Sequence, residues 1–451
     1  MKEKEYCMDF FAHPKKRWTS FQIISIGFAS VILIGALLLM LPWCVRTGGH
    51  ASFQDALFTS TSAVCVTGLV VHDTATYWSP LGQAVILVLI QTGGMGVITV
   101  AAAFAMLSGR RINLSGRSTM QEAIAAPEVG GIVRLTRFIL MTTAVCEIGG
   151  ALCMLPIFCR DFGLKGIWMA VFHSVSAFCN AGFDLMGSRG AYSSLVSYAS
   201  NPVINVMIML LIIVGGIGFL TWADLRQNGL HFQKLRLQSK LILITTAILL
   251  VFPAIAFFIF EFPDLPLGKR ILVSLFQSVT PRTAGFNTVD LGLMRESGIS
   301  IIIVLMLIGG SPGSTAGGMK TTTAAVLWAT AASTFRQQGD PHCFGRRMEA
   351  DAVKSAATIL LMYLVLFFTG GLLISVIEGL PMLPCLFEAA SAVGTVGLTL
   401  GLTQKIGLVS RMILILLMFC GRVGGLTLVY AALPGTKTFA QQFPPERVTV
   451  G

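Results

Sequence analysis

The chain has 451 residues, 54% of them hydrophobic and only 12% charged, with a mean hydropathy of +0.78. A soluble enzyme of this length needs a larger polar share to cover its surface, so the composition excludes one and points to a polytopic membrane protein. The net charge of +11 does not indicate a nucleic-acid partner, because the basic residues are spread over alternate loops rather than gathered in one patch.

The N-terminal segment carries Lys2, Lys4, Lys15, Lys16 and Arg17 and leads into a first apolar run, Phe21 to Leu41. This run, Leu241 to Phe260 and Ile359 to Ile377 are each long enough, as helices, to cross a hydrocarbon core of about 30 Å. A transmembrane β-barrel would instead alternate over about ten residues. Further spans follow the first run, so it is read as an uncleaved helix and not a signal peptide. Basic residues recur in every second connection: Arg110, Arg111, Arg117, Arg134 and Arg137; Arg226, Lys234, Arg236 and Lys240; Arg336, Arg346, Arg347 and Lys354; Lys437 and Arg447. With the N-terminal segment these make 20 of the 32 basic residues, and the positive-inside rule then assigns both termini to the cytoplasmic side of a plasma membrane. The ten cysteines match neither a disulfide framework nor a zinc site and are read as small buried hydrophobes.

Four short segments align: Ala56 to Leu69, Ala170 to Phe183, Ser274 to Phe286 and Cys385 to Leu398. Each has a phenylalanine (Phe58, Phe172, Phe276, Phe387) nine or ten residues before a glycine that precedes Leu or Phe. The glycines Gly68, Gly182, Gly285 and Gly397 are spaced 114, 103 and 112 residues apart, and each segment lies between two apolar runs. Such a period marks an internal repeat. The segments are too short to cross, so they are read as re-entrant; Ser52 and Asp55 have capping-box spacing at the start of the first. The expected fold is all-α and membrane-integral: eight transmembrane helices and four re-entrant half-helices around a pseudo-fourfold pore. The repeats are placed at 21–107, 108–226, 227–333 and 334–434, between cytoplasmic segments 1–20 and 435–451.

Irregular backbone survives at membrane depth only where protein or a water-filled path satisfies it. Four half-helices whose C-terminal ends converge favour a cation, and a ring of inward carbonyls can replace the hydration shell of K+. The candidate carbonyl ring is Cys65-Val66-Thr67-Gly68, Cys179-Asn180-Ala181-Gly182, Thr283-Ala284-Gly285 and Gly394-Thr395-Val396-Gly397. The last is close to the Thr-Val-Gly-Tyr-Gly signature of potassium channels. The third segment is one residue shorter and carries Arg282, which leaves its register open.

On these four segments the chain resembles the Trk/Ktr/HKT superfamily of cation transporters, and most closely its Ktr-type membrane subunits. The resemblance spans the whole chain; the extra N-terminal helix pair expected of a Trk-type subunit is missing from its pattern. It implies potassium uptake, often sodium-stimulated, by a membrane homodimer under a cytosolic nucleotide-binding ring of the RCK type. K+ is then the transported ion, Na+ a second candidate, and nucleotide enters only through the partner. A serine at the first glycine goes with sodium selectivity in plant relatives, so Gly68 speaks for potassium.

Each second span is interrupted by glycines: Gly93, Gly94 and Gly96; Gly215, Gly216 and Gly218; Gly421, Gly424 and Gly425. In the first two groups the glycines are read as close helix packing. The third repeat differs, since Gly309-Gly310-Ser311-Pro312-Gly313-Ser314-Thr315-Ala316-Gly317-Gly318 cannot remain helical. It resembles the family's intramembrane gating loop. The stretch Gly313 to Thr321 nearly matches a phosphate-binding loop, but Met319 intrudes and a membrane span precedes it, so ATP binding there is rejected. Arg422, inside an apolar run, is assigned to the gate, either repelling cations or holding the loop carbonyls, with snorkelling as the alternative. Lys320 has the same two readings. Glu147 and Glu261, within first spans, are read as peripheral hydrogen-bonded carboxylates, with sodium or proton ligation as the alternative, and His72 and His173 as vestibule or packing residues. The basic loops are candidates for docking the ring or lipid headgroups. The rival readings are a sodium or non-selective monovalent cation pathway and, behind it, a broken-helix secondary transporter, which would show inverted or paired repeats.

Overall fold

A computed structural model describes residues 18–46, 49–107, 114–124, 130–229, 231–337 and 340–432. The segments 1–17 and 433–451, with Lys437 and Arg447, and the basic residues Arg110 and Arg111 lie outside the described residues. In chain order, α1 (Ser20–Leu39) is followed by α2 (Phe53–Val64), the short α3 (Thr74–Tyr77), α4 (Pro80–Met95), α5 (Val97–Leu107) and α6 (Leu114–Ile124). Next come α7 (Ile132–Phe162), α8 (Lys165–Phe178), α9 (Pro202–Ile217) and α10 (Phe219–Asn228). Helix α11 (Leu237–Ala256) runs into a π turn at Phe257–Glu261, then α12 (Leu267–Val279), α13 (Glu296–Leu307) and α14 (Thr321–Phe335). An antiparallel hairpin, β1 (His342–Cys343) with β2 (Arg346–Arg347), precedes α15 (Ala350–Glu378), α16 (Met382–Val393), α17 (Leu408–Val423) and α18 (Gly425–Ala432).

By length and composition α1, α7, α11 with its π turn, and α15 can each cross a membrane. Each is followed by a helix too short to do so: α2, α8, α12 and α16 have 12, 14, 13 and 12 residues. Local signals explain where helices begin. Thr19 and Gln22 form a capping box at α1, and the Ser52 hydroxyl accepts the Asp55 N–H at 3.1 Å at α2. Helices α4 and α9 start from the side-chain caps Ser79 and Asn201, each followed by a proline in the first turn. The aligned phenylalanines Phe58, Phe172, Phe276 and Phe387 are all fully buried.

The first two glycine groups do pack closely against neighbouring helices, and they also break their spans. Helices α4 and α5 meet at 101°, α9 and α10 at 93°, and α17 and α18 at 94°. The corners are Gly96, Gly218 and Gly424, with φ of +86°, +99° and +89°, a backbone region that an L side chain strains. The first glycine of each group packs against the end of a short helix. A methyl on Gly93, Gly215 or Gly421 would collide with the carbonyl of Val64, Phe178 or Val393, the last residue of α2, α8 or α16. The break is invisible to hydropathy because the chain is apolar on both sides of it. Around the molecule α4 packs on α8, α9 on α12, α13 on α16, and α17 back on α2, so the contacts close a circle.

Candidate ion pathway and gate

The four glycine segments meet at the centre of that circle. A methyl on Gly68 would fall 2.5 Å from the Ala181 carbonyl oxygen, and one on Gly182 2.8 Å from that of Ala284. A methyl on Gly285 would strike the Val396 carbonyl, and one on Gly397 the Thr67 carbonyl. Each glycine therefore faces the next segment's backbone, in the order first, second, third, fourth and back to first. Their φ angles are +90°, +70°, +78° and +93°. Two residues earlier stand Val66, Asn180, Thr283 and Thr395, all left-handed with φ of +56°, +58°, +67° and +52°. For β-branched valine and threonine that conformation is costly, so the surrounding structure must impose it. Cys65, Cys179 and Gly394 end the short helices as right-handed C-caps immediately before these residues.

Each loop is tied to the end of its own helix. Thr67, Ala181 and Val396 donate their N–H groups to the carbonyls of Ser62, Ser176 and Ser391, each at 2.8 Å. The hydroxyls act as well: Ser62 and Ser391 accept the N–H of Gly68 and Gly397 at 3.0 Å. Ser176 donates to the Phe183 carbonyl at 2.7 Å, and Thr280 donates to that of Phe286. Sequence reasoning passed over these four hydroxyls, although a signal existed: a serine six residues before the glycine, or a threonine five before it in the shorter third segment. That deletion leaves Gly285 in the ring. Arg282 turns away from it, donating through Nη2 to Thr246 Oγ1 of α11 at 3.3 Å.

Residues Ile308 to Lys320, between α13 and α14, are not helical. The base of this loop is closed by Gly309 N–H to the Met319 carbonyl at 2.8 Å and Thr321 N–H to that of Gly310 at 3.0 Å. Its body touches the second and fourth units. Ser311 N–H donates to the Gly216 carbonyl at 2.9 Å, Thr315 Oγ1 donates to that of Phe178 at 3.0 Å, and the Gly313 carbonyl accepts from Phe219 N–H at 2.8 Å. Gly318 N–H donates to the Gly421 carbonyl at 3.2 Å, and methyls on Gly317 and Gly318 would run into Thr395 and Gly394. Arg422 donates to the Thr315 carbonyl and to the Gly93 and Gly94 carbonyls, the last at 3.0 Å. Lys320 Nζ donates to Ala316 and Gly317 carbonyls at 2.8 and 3.4 Å. Both cations thus bind loop carbonyls instead of snorkelling. Pro312, Ser314, Lys320 and Arg422 also border a cavity of about 420 Å³.

A family model described as TrkH, a cation transport protein, matches residues 10–440. The chain belongs to this family. It is similar to the potassium/sodium uptake protein NtpJ of Enterococcus hirae, 39% identical over 449 residues, covering 97% of this chain and 98% of that one. It is similar too to the Ktr system potassium uptake protein B of Bacillus subtilis, 38% identical over 422 residues, covering 92% and 93%. In fold it resembles the potassium transporter TrkH of Vibrio parahaemolyticus, with a TM-score of 0.73 at 20% identity, over 94% of this chain and 86% of the other. A TrkH-family chain is a membrane-embedded transporter and not an enzyme.

The remaining candidates of this TrkH-family chain are paired or packed side chains. Glu147 of α7 faces the Cys179 thiol at 3.9 Å, behind the second segment. Glu261 accepts the Arg295 N–H at 2.8 Å at the start of α13. His173 is buried, and its Nε2 accepts the Leu185 N–H at 3.3 Å, so Nδ1 carries the proton donated to the Met169 carbonyl at 2.7 Å. It is a packing residue that holds the connection beyond Gly182, while His72 pairs with Asp55 at 3.2 Å and stacks on Tyr77. The described cysteines are all free.

Proposed function

We propose that this chain is the potassium-translocating membrane subunit of a bacterial uptake system. The observation that carries the reading is the closed ring of four segments, each a left-handed residue followed by a positive-φ glycine at the end of a half-helix. In the proposed mechanism the half-helices are re-entrant, and four span–half-helix–span repeats surround a pseudo-fourfold pore. The ring carbonyls replace water around K+, and the partly negative helix ends favour the cation. Full-length relatives with 38–39% identity, named for potassium or potassium/sodium uptake, support the choice of ion.

The loop from Gly309 to Gly318, with Lys320 and Arg422, is the proposed gate. It lies against the fourth ring segment at Gly394 and Thr395, and two cations hold its carbonyls. The charge asymmetry of the loops supports cytoplasmic termini in the bacterial plasma membrane. From the Ktr-type resemblance we extend the proposal to a homodimer, sodium stimulation, and gating by a cytosolic RCK-type ring that alone carries the nucleotide.

The test is growth at limiting potassium of an uptake-deficient bacterium expressing this chain with a ring partner. The wild type should rescue and Gly285→Ser should not. Equal rescue by both would remove Gly285 from the pathway. No rescue despite membrane expression, with sodium flux in its place, would establish the second reading that the name of the Enterococcus hirae relative raises.

A further inference from the structure

Two clefts flank the first turns of α7. One, of about 960 Å³, is bordered by Met106 of α5, Arg117 of α6, and Arg137 and Leu140 of α7. The other, of about 700 Å³, is bordered by Phe138 of α7, Leu220 and Arg226 of α10, and Arg236 before α11. Arg134 borders both. Arg134, Arg137, Arg226 and Arg236 are exposed, and no ion pair among the described residues involves them. The one carboxylate at the second cleft, Asp224, is buried and already occupied. It accepts from Asn228 Nδ2 at 2.8 Å and from the Arg236 N–H at 3.0 Å. The Arg226 guanidinium lies 5.3 Å from the centroid of the Phe138 ring.

We propose that these clefts bind the phosphodiester headgroup of an anionic phospholipid of the cytoplasmic leaflet. Guanidinium pairs phosphate through two parallel hydrogen bonds, which suits arginine better than lysine for this contact. A free phosphate would find the same charge, but the clefts are walled by Met106, Leu140, Phe138 and Leu220 as well. Apolar walls under a guanidinium rim suit an amphiphile whose acyl chains continue into the bilayer beside α5, where Phe104 is exposed. The two clefts join α7 and α6 to α5 and α10, the helices that follow the corners at Gly96 and Gly218. Lipid bound there would clamp the bent halves of two units against α7. The proposal rests on the inward orientation given above for this side and is independent of which cation is carried.

The test uses the full chain, delipidated in detergent and titrated with phosphatidylglycerol or phosphatidylcholine of the same acyl chains, with lipid binding read by native mass spectrometry and by the shift in melting temperature. Phosphatidylglycerol should bind in preference to phosphatidylcholine. Each of Arg134→Gln and Arg226→Gln should weaken it by about fivefold, as about 1 kcal/mol per basic residue at an anionic surface implies. Arg137→Gln with Arg236→Gln provides a second pair should the first fail to fold. Lys405→Gln, which removes one charge outside the clefts, should change nothing. Equal binding of the two lipids, or equal behaviour of Lys405→Gln and the arginine variants, overturns the proposal. Displacement by millimolar inorganic phosphate would make this a free-anion site and overturn the lipid source. Unchanged lipid binding with loss of ring-partner binding would mean that the arginines dock a protein. Potassium uptake is not a readout here, so failure of this proposal and failure of the transport reading stay separate.

Discussion

The central ring and the Ile308–Lys320 loop are both irregular backbone buried among helices, yet they are held in opposite ways. In the ring each segment is tied to its own helix, by an N–H to a carbonyl four or five residues earlier and by a serine or threonine hydroxyl. The same local device occurs four times. The loop occurs once; its base closes on itself and Lys320 holds two of its carbonyls, but its body is also tied to Phe178, Gly215, Gly216, Phe219, Gly421 and Arg422, all in other units. Locally braced backbone keeps its shape when neighbouring helices shift. Backbone hung on neighbours must follow them, and that is what the proposed gate requires.

The sharpest way to break this comparison is at the ring itself. Gly397→Ala should reduce apparent potassium affinity by about tenfold or more, since a methyl at positive φ costs about 1–2 kcal/mol before its clash with Thr67. Uptake kinetics over a range of external potassium would measure it; an unchanged half-saturation concentration removes the fourth segment from the ring. Next in size is Ser391→Ala, which strips the Gly397 N–H of its acceptor inside a buried site. A lost partner of this kind costs about 1–3 kcal/mol. Potassium-over-sodium preference should fall several-fold while the amount of folded protein holds.

The loop should respond in the other direction. Arg422→Gln removes the tie between Thr315 and the Gly93 and Gly94 carbonyls of α4 and should raise basal uptake without the ring partner by about fivefold, as loss of one charge-assisted bond permits. A fall in uptake with no basal leak would make the loop a fixed scaffold. The smallest expected effect lies beyond the ring at Asp184, whose carboxyl burial pushes up to about 7; the Asp73 charge acts the same way and the Met186 N–H opposes it. An acid raised in the folded state loses stability as pH rises from the usual carboxylate range to that value, and above it the site gains a negative charge. Uptake at limiting potassium should therefore rise by about twofold between about pH 6 and 8, and Asp184→Asn should flatten that profile.

Much of the site is legible in the amino-acid sequence. Gly68, Gly182, Gly285 and Gly397 stood out because nothing but glycine fits a positive φ against a neighbouring carbonyl, and that constraint repeats at a fixed period. The Gly309–Gly318 loop was legible because its glycines and Pro312 forbid a helix. The bracing hydroxyls were harder to see, since serine in a helix usually serves only its own turn. Arg282 left the register of the third segment open for a related reason: where its side chain goes depends on Thr246 of α11, to which it is bonded.

By itself the sequence determined the class, the four short helices, the ring glycines and the loop that cannot be helical. Each follows from hydropathy, length or a local dihedral demand that neighbours cannot change. Tertiary structure alone decided the right-angle corners at Gly96, Gly218 and Gly424 and the left-handed turn at Val66, Asn180, Thr283 and Thr395. It also decided which carbonyls Arg422 and Lys320 bind. These depend on which backbone lies opposite, and residues far apart in the chain meet there only once the circle of helices has closed.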